Sequence, residues 1–182
     1  AFGCCYSLES ITIPDSATKM GADVFLYTAW YYNQPNGVVY LGNIAYGYKG
    51  TMPENTHITL KNGTKVIAGY SFAGYSELTG ITIPNSVKLI GDSAFFRCDS
   101  LTDVTIPDSV TSLGESVFED CSELTSVKTG NGVTLIDENT FYNCEKLKNV
   151  TIGKSVTEIS YRAFYSCKSL TDITISGNVK II

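Results

Sequence analysis

Apolar residues return along the chain with a period of 23 positions. The clearest copy, LTDVTIPDSVTSLGESVFEDCSE, runs from Leu101 to Glu123, with apolar side chains at its first, fourth, sixth, tenth, thirteenth and eighteenth positions. The fourth position is β-branched in all seven copies, which begin at Leu8, Asn55, Leu78, Leu101, Leu124, Leu147 and Leu170. A fixed period of this length indicates a repeat protein in which each copy forms one structural unit. We call each copy a rung.

The pattern within one rung predicts two short strands and a turn. LTDVTI alternates between apolar and polar residues, as a strand with one buried face does, and Pro107 ends it. SVTSL is a second extended piece, and ESVFEDC places Phe118 in a turn or short helical turn. One rung cannot bury its own apolar face, so the rungs must stack with parallel strands about 4.8 Å apart. The predicted fold is a mainly β solenoid that spans residues 1–182 as a single unit.

Residues 31–54 do not fit the period and form an insertion. QPNG is a turn signal, and Gly42-Asn43 between VVYL and IAYGY is a two-residue hairpin signal. We expect strands near 29–33, 38–41 and 44–49, which together would form a small β-meander. Insertions in solenoids lie on one face, which is often the binding face.

The repeat resembles that of a known family. Its form is L-x-x-V-T-I-P-x-S-V-x-x-I-G-x-x-A-F-x-x-C, and Leu78–Ser100, LTGITIPNSVKLIGDSAFFRCDS, is nearly a consensus copy. This unit is similar to the BspA-like (Treponema pallidum type) leucine-rich repeats, and the resemblance covers the chain outside the insertion. It implies a curved, β-rich leucine-rich-repeat solenoid found on secreted or surface proteins of bacteria and some protozoa, including adhesins that bind host matrix proteins or other microbes. A fold does not fix a function, so the ligand stays open.

Composition and charge narrow the classes of partner. The net charge of −5 and the pI near 4.8 argue against an electrostatic grip on nucleic acid or on an anionic membrane. No stretch approaches the roughly 18 to 20 apolar residues of a membrane span, so membrane insertion is not expected. The sequence opens inside one rung and closes inside another, which suggests a piece of a longer protein.

Five cysteines share the twenty-first rung position: Cys5, Cys98, Cys121, Cys144 and Cys167. They could be reduced core thiols, members of a disulfide ladder or metal ligands. Thr28 and Tyr75 occupy the same position in two rungs, and no C-x2-C pair of the kind that zinc sites use occurs. Since free cysteine packs as a small apolar side chain, we favour structural core cysteines. Cys4 lies off this column and is the candidate reactive thiol.

No catalytic motif or cofactor motif stands out in the sequence. The single histidine, His57, takes an outward position, and no HExxH, nucleophile elbow, GxGxxG or Walker-type loop is present. Asp103 and Asp172 share a rung position but lie three rungs apart, roughly 14 Å at strand spacing, too far for a glycosidase pair. We therefore expect no enzyme, no cofactor and no metal.

Aromatic residues are concentrated at the insertion. The candidate partner-binding residues are Trp30, Tyr31, Tyr32, Tyr40, Tyr46 and Tyr48. Tyrosine and tryptophan provide rigid contact area and dominate interface hot spots. The alternative is that aromatic cross-strand pairs only hold a small meander together.

The functional prediction is a non-enzymatic, extracellular or cell-surface interaction module. It would bind a protein or glycan ligand on a host or microbial surface through the solenoid face and the aromatic insertion. The alternative is a structural spacer in a larger surface protein or secreted enzyme, with no ligand of its own.

Overall fold

In the computed structural model, which describes residues 1–14, 16–175 and 177–182, short parallel strands repeat along the stack of rungs. The elements are α1 (Ala29–Tyr32), β1 (Gly37–Leu41), β2 (Ile44–Lys49), β3 (Thr56–Thr59), β4 (Val66–Ile67), β5 (Leu78–Thr82), β6 (Leu89–Ile90), β7 (Asp103–Thr105), β8 (Ser112–Leu113), β9 (Ser126–Lys128), β10 (Leu135–Ile136), β11 (Asn149–Thr151) and β12 (Glu158–Ile159). The predicted mainly β solenoid is thus confirmed, with very little helix.

The first strands of the rungs pair in parallel in two groups, β3 with β5, and β7, β9 and β11 in turn. Ile58 lies opposite Ile81 where β3 pairs with β5, and Val104, Val127 and Val150 lie side by side in β7, β9 and β11. These partners are 23 residues apart, so the fourth rung positions form one continuous inner row. Because successive side chains alternate between faces, the flanking threonines point outward and are exposed.

The second strands form a parallel column of their own. Ile67, Ile90 and Leu113 lie side by side in β4, β6 and β8, and Ile136 lies beside Ile159 in β10 and β12. These thirteenth-position residues are almost fully buried. The five rungs that begin between Asn55 and Leu147 therefore stack in the 23-residue register.

The third segment of each rung consists of tight turns, and among the described residues no short helical turn forms in this segment. The sixteenth and twentieth positions are left-handed in rung after rung, as at Ser116 (φ 54°) and Asp120 (φ 60°). A left-handed residue interrupts a right-handed helix, so the chain cannot propagate one here. The backbone N–H groups instead alternate between acceptors in the same rung and acceptors in the next rung. Phe96 N donates to Ser93 O within the rung, whereas Phe95 N donates to Val117 O of the next rung.

A column of phenylalanines fills the core behind these turns. The rings of Phe72, Phe95, Phe118, Phe141 and Phe164 are stacked, with centroids 5.2–5.5 Å apart. The first four of these phenylalanines, from Phe72 to Phe141 in the column, have no exposed surface. The column and the inner strand rows form one apolar cluster, while a second, smaller cluster lies around Phe25 and Trp30.

The insertion is a hairpin joined to the solenoid, and one predicted strand in it was wrong. β1 and β2 pair antiparallel, and β2 also pairs in parallel with β4, placing Ala45 beside Ile67. The hairpin thus adds strands to the second column. The segment expected as a strand near 29–33 is instead α1, because Thr28 caps a helical turn that buries Trp30.

The rungs that begin at Leu8 and Leu170 have less regular structure. Among their described residues no strand of two or more residues is formed. The last rung joins the stack through two isolated parallel bridges, Thr151 with Thr174 and Glu158 with Ile181. The first rung is connected to the rung that begins at Asn55 through a backbone hydrogen bond from Gly69 N to Met20 O (3.0 Å), and its Phe25 ring also stacks on Phe2, with centroids 5.4 Å apart.

Candidate binding site at the hairpin

The chain leaves the first rung at Thr28, in the position that cysteine holds in most rungs. The buried Thr28 hydroxyl donates to Phe25 O (2.7 Å) and accepts from Tyr31 N (3.1 Å). A threonine oxygen that accepts from the third helical N–H is an N-cap, which cysteine cannot provide as well. At the other end of α1, Lys49 of β2 donates to the carbonyls of Tyr32 and Gln34. These contacts fix the single helical turn against the hairpin.

Aromatic packing joins the hairpin to the first rung. The rings of Phe25, Trp30 and Tyr46 lie 5.7–6.0 Å apart, and the Trp30 and Tyr46 side chains are both buried. Phe25 N donates to the Tyr46 hydroxyl (2.8 Å), whereas the phenylalanines of later rungs donate to a carbonyl of the next rung. The Tyr46 phenol therefore stands between the turns of the first rung and those of the rung that begins at Asn55.

A cavity of about 170 Å³ opens beside Tyr46, between these two sets of turns. Its wall combines both rungs with the hairpin, and its lining residues are Asp23, Leu26, Tyr31, Tyr46, Gly47, Tyr48, Gly69, Tyr70, Ser71, Ala73 and Tyr75. We call it the tyrosine cavity. Two phenols are fixed by one acceptor, because the hydroxyls of Tyr31 (3.4 Å) and Tyr75 (3.0 Å) both donate to Tyr48 O.

Three tyrosine hydroxyls of the cavity are kept neutral by burial, and one acidic residue lies at its rim. Burial raises the pKa of the Tyr31, Tyr46 and Tyr75 phenols above the ordinary value, because the charged phenolate is less well solvated there. Asp23 is exposed at the edge, and none of the described lining residues is a lysine, arginine or histidine. The cavity can therefore exchange hydrogen bonds with a ligand, but it offers no cation to an anionic one.

The structure brings together only some of the aromatic residues singled out in the sequence. Tyr31, Tyr46 and Tyr48 line the cavity, while Trp30 is buried behind Tyr46. Tyr32 is 56% exposed next to Tyr31, with ring centroids 6.3 Å apart. Tyr40 lies elsewhere: its hydroxyl accepts from Lys61 N (3.0 Å), and the Lys61 ammonium lies 4.3 Å from its ring centre.

Sequence reasoning missed Tyr70, Ser71 and Tyr75, which the repeat itself could have revealed. Tyr75 breaks the cysteine column, and its longer side chain reaches the Tyr48 carbonyl that a cysteine could not reach. Ser71 stands at the seventeenth position, which holds Ala94 and Val117 in the next rungs. Both residues belong to the rung that begins at Asn55, whose strand β4 pairs with β2 of the hairpin.

The cysteine column is a row of neutral thiols in the rungs that follow the hairpin. In four of its members the Sγ donates to the carbonyl of a phenylalanine 26 residues earlier, for example Cys121 to Phe95 O at 3.1 Å; these are Cys98, Cys121, Cys144 and Cys167. All six cysteines are free. Burial raises the pKa of Cys98 to about 12 and that of Cys167 to about 11, and it raises those of Cys121 and Cys144 as well.

The interpretation of Cys5 as a core cysteine is corrected, because its side chain is exposed. Cys4, the candidate reactive thiol, is exposed beside it.

Across residues 1–14, 16–175 and 177–182, no three histidine, cysteine or acidic side chains cluster as metal ligands would. In the same ranges, no helix has the length and apolar character needed to cross a bilayer.

The comparison with known proteins agrees with the repeat. The family model for the BspA type leucine-rich repeat region matches in six copies, over residues 1–125 and 42–171. No curated protein matches the chain.

Solved structures of two leucine-rich repeat proteins are similar. One, from Eubacterium ventriosum ATCC 27560, shares 20% identity over 95% of this chain and 62% of its own, with a TM-score of 0.63. This chain thus spans less than two thirds of that protein. The other, from T. pallidum, shares 23% identity over 73% of this chain and 81% of its own, with a TM-score of 0.50. At these identities the likeness concerns the fold alone. With the family model covering most of its length, the chain belongs to the BspA-type leucine-rich repeat family.

Proposed function

We propose that the chain is a non-enzymatic extracellular interaction module. It binds a protein or glycan ligand on a host or microbial surface, with the aromatic hairpin as the local anchor and the exposed face of the solenoid as additional contact area. Leucine-rich repeats are generally protein-interaction modules, and the family assignment supports this broad class of function. Surface location and adhesion are part of the proposal.

One observation carries the proposal: a cavity lined by several tyrosines lies where the repeat is broken. In the regular part of the stack, the phenylalanine rings stack on those of the neighbouring rungs. The thiols and many of the turn amides donate hydrogen bonds to carbonyls of the neighbouring rungs. At the hairpin, Tyr46 holds two sets of turns apart, and several tyrosines face the resulting space. A spacer would need only the regular contacts, so the extra aromatic residues favour a ligand.

The experiment uses the chain of residues 1–182, immobilised and exposed to matrix proteins, a glycan array and microbial cells. Tyr32→Ala is the informative variant, since Tyr32 is exposed and its truncation leaves the buried cluster intact. Tyr161→Ala is the matched control, because Tyr161 is 62% exposed at the other end of the stack. An interface hot spot contributes about 2 kcal/mol or more, so we expect Tyr32→Ala to weaken binding about 30-fold.

Each outcome decides between the hypotheses. Retention of a ligand by the native chain and by Tyr161→Ala, with loss in Tyr32→Ala, supports the module. Equal binding by both variants would place the ligand away from the hairpin. If none of the three ligand classes is retained, the spacer hypothesis replaces the module.

A further inference from the structure

The turn amides around the tyrosine cavity are already used within the protein. The backbone N–H groups of Gly69, Tyr70, Ser71 and Ala73 each donate to a carbonyl oxygen. None of the described lining residues is a lysine, arginine or histidine, which would bring charged donors. A ligand that enters the cavity therefore finds few hydrogen-bond donors.

Hydrogen-bond acceptors, in contrast, remain available in the lining. Tyr31 and Tyr75 use their hydroxyl protons on Tyr48 O, which leaves lone pairs on both phenol oxygens. Because both hydroxyls bond the same oxygen, the two phenol oxygens lie near each other. The Asp23 carboxylate, which only accepts hydrogen bonds when ionised, lies at the rim of the same cavity. The lining thus matches a ligand group that only donates.

The charges around the cavity favour a cation. Burial has the largest effect in raising the pKa of the Tyr31 and Tyr46 phenols, and the Asp23 carboxylate adds to that rise. A carboxylate that opposes a phenolate stabilises a positive charge at the same place. Lys19 of the first rung is paired with Asp92 (3.3 Å), so its charge is offset. The net charge of −5 attracts a cationic partner at longer range as well.

The volume of the cavity fits the side chain of lysine. A cavity of about 150 Å³ accommodates benzene, and the tyrosine cavity has about 170 Å³. Beyond Cα, lysine has one heavy atom fewer than benzene, whereas arginine has one more and ends in a rigid planar fork. Tyrosine rings also attract an ammonium group through cation–π interactions. Size and chemistry therefore both select lysine.

We propose that the tyrosine cavity binds the ammonium group of a lysine side chain on a partner protein, with the Asp23 carboxylate and the phenol oxygens of Tyr31 and Tyr75 as its acceptors. A lysine ammonium has three N–H donors and no acceptor, which matches these three groups. The inference names the ligand class of the aromatic hairpin and rests on the proposed function. A trimethylammonium group would carry the same charge, but without an N–H it would leave the acceptors unused.

The test uses Nα-acetyl-lysine methylamide as the probe and the whole chain of residues 1–182. The comparison ligands are its neutral Nε-acetyl form, its Nε-trimethyl form and Nα-acetyl-arginine methylamide. Amide NMR signals of Gly47 and Gly69 report the cavity directly, since both residues line it. Trp30 fluorescence gives a second readout, because the Trp30 ring lies 5.7 Å from that of Tyr46. We expect the lysine probe to bind most tightly and the Nε-acetyl form not to bind.

Two variants remove acceptors with little change in shape. Asp23→Asn removes the charge, and asparagine tolerates the left-handed backbone of residue 23 (φ 53°). Tyr31→Phe keeps the ring and loses only a long hydrogen bond to Tyr48 O (3.4 Å). Asp172→Asn is the matched control, because it removes the same charge from an exposed position in the last rung.

The variants are expected to differ in their affinity for the lysine probe. Asp23→Asn should weaken binding about two- to fivefold, the scale of one exposed ion pair. Tyr31→Phe should weaken it about tenfold, which is the loss of one hydrogen bond to a charged group. Asp172→Asn should leave the affinity unchanged, since its charge is remote from the cavity.

Several outcomes overturn the inference. They are no shift of the Gly47 and Gly69 signals with the lysine probe at tens of millimolar, equal or tighter binding of any comparison ligand, and equal affinities in Asp23→Asn and Asp172→Asn. The proposed function is tested separately, since a macromolecular ligand retained equally by the native chain and by Asp23→Asn would support the interaction module while refuting the lysine site.

Discussion

The phenylalanine column makes a quantitative prediction about stability. Phe118 is fully buried, and its ring stacks between Phe95 at 5.3 Å and Phe141 at 5.5 Å, with interplanar angles of 3° and 2°. Phe118→Ala therefore removes a whole side chain from the core and two stacking contacts. Truncation of a buried phenylalanine costs about 3–5 kcal/mol, and each aromatic pair contributes about 0.5–1.5 kcal/mol. We expect a loss of about 4–5 kcal/mol in the free energy of unfolding.

Phe164 provides the matched control in the same column. Its ring is half-buried and stacks on one neighbour only, Phe141 at 5.2 Å. Since the side chain loses one stacking partner and less buried surface, we expect Phe164→Ala to cost about 2 kcal/mol. The two variants carry the same chemical change, so their difference isolates the effect of burial between two rungs.

The assay is equilibrium unfolding in guanidinium chloride followed by far-UV circular dichroism. Trp30 fluorescence reports the hairpin end of the stack separately, which reveals whether the rungs unfold together. The reasoning would be refuted if Phe118→Ala cost no more than Phe164→Ala, because the column would then not be the element that holds successive rungs together.

Two further predictions concern the thiols and the cap of α1. Iodoacetamide should modify the exposed Cys4 and Cys5 in the native state but not the buried Cys121 or Cys144, as measured by mass spectrometry. Early modification of Cys121 or Cys144 would contradict their burial in the cysteine column. Because burial raises the pKa of Cys98 to about 12, its neutral form contributes stability that is complete below about pH 8.5, the unfolded thiol value, and is lost as the pH rises towards 12. The thermal midpoint should therefore fall above about pH 9, less steeply in Cys98→Ala. Thr28→Ala removes the N-cap and should cost about 1 kcal/mol by chemical denaturation, whereas an unchanged midpoint would show that α1 is held by Trp30 packing alone.

Much of the fold was accessible from the sequence because each rung repeats the same contacts. Ile58 pairs with Ile81, and Val127 pairs with both Val104 and Val150. The partners in each pair are 23 residues apart, so the strand register follows directly from the period of the sequence. The position of the phenylalanine column follows from the same period. Local propensity did not distinguish turns from short helices in the ESVFEDC segment, because the left-handed residues there are polar side chains such as Ser116 rather than glycine.

The hairpin and its cavity were only partly accessible. The turn signals at residues 34–37 and 42–43 correctly placed β1 and β2, but the strand expected near residues 29–33 is a capped helical turn in the tertiary structure. Which tyrosines share a cavity depends on how far Tyr46 separates the first rung from the next. No pattern within one rung encodes that separation.

The sequence by itself determined the period, the parallel stacking and the apolar columns, since a repeated pattern can bury its surface only against copies of itself. The tertiary structure alone decided what happens where the repetition stops. There, the Tyr75 side chain takes the position of a cysteine and reaches across to the hairpin. The unpaired hydroxyl of Ser71 belongs to the same break, because contacts between unlike neighbours depend on their three-dimensional fit and not on a shared period.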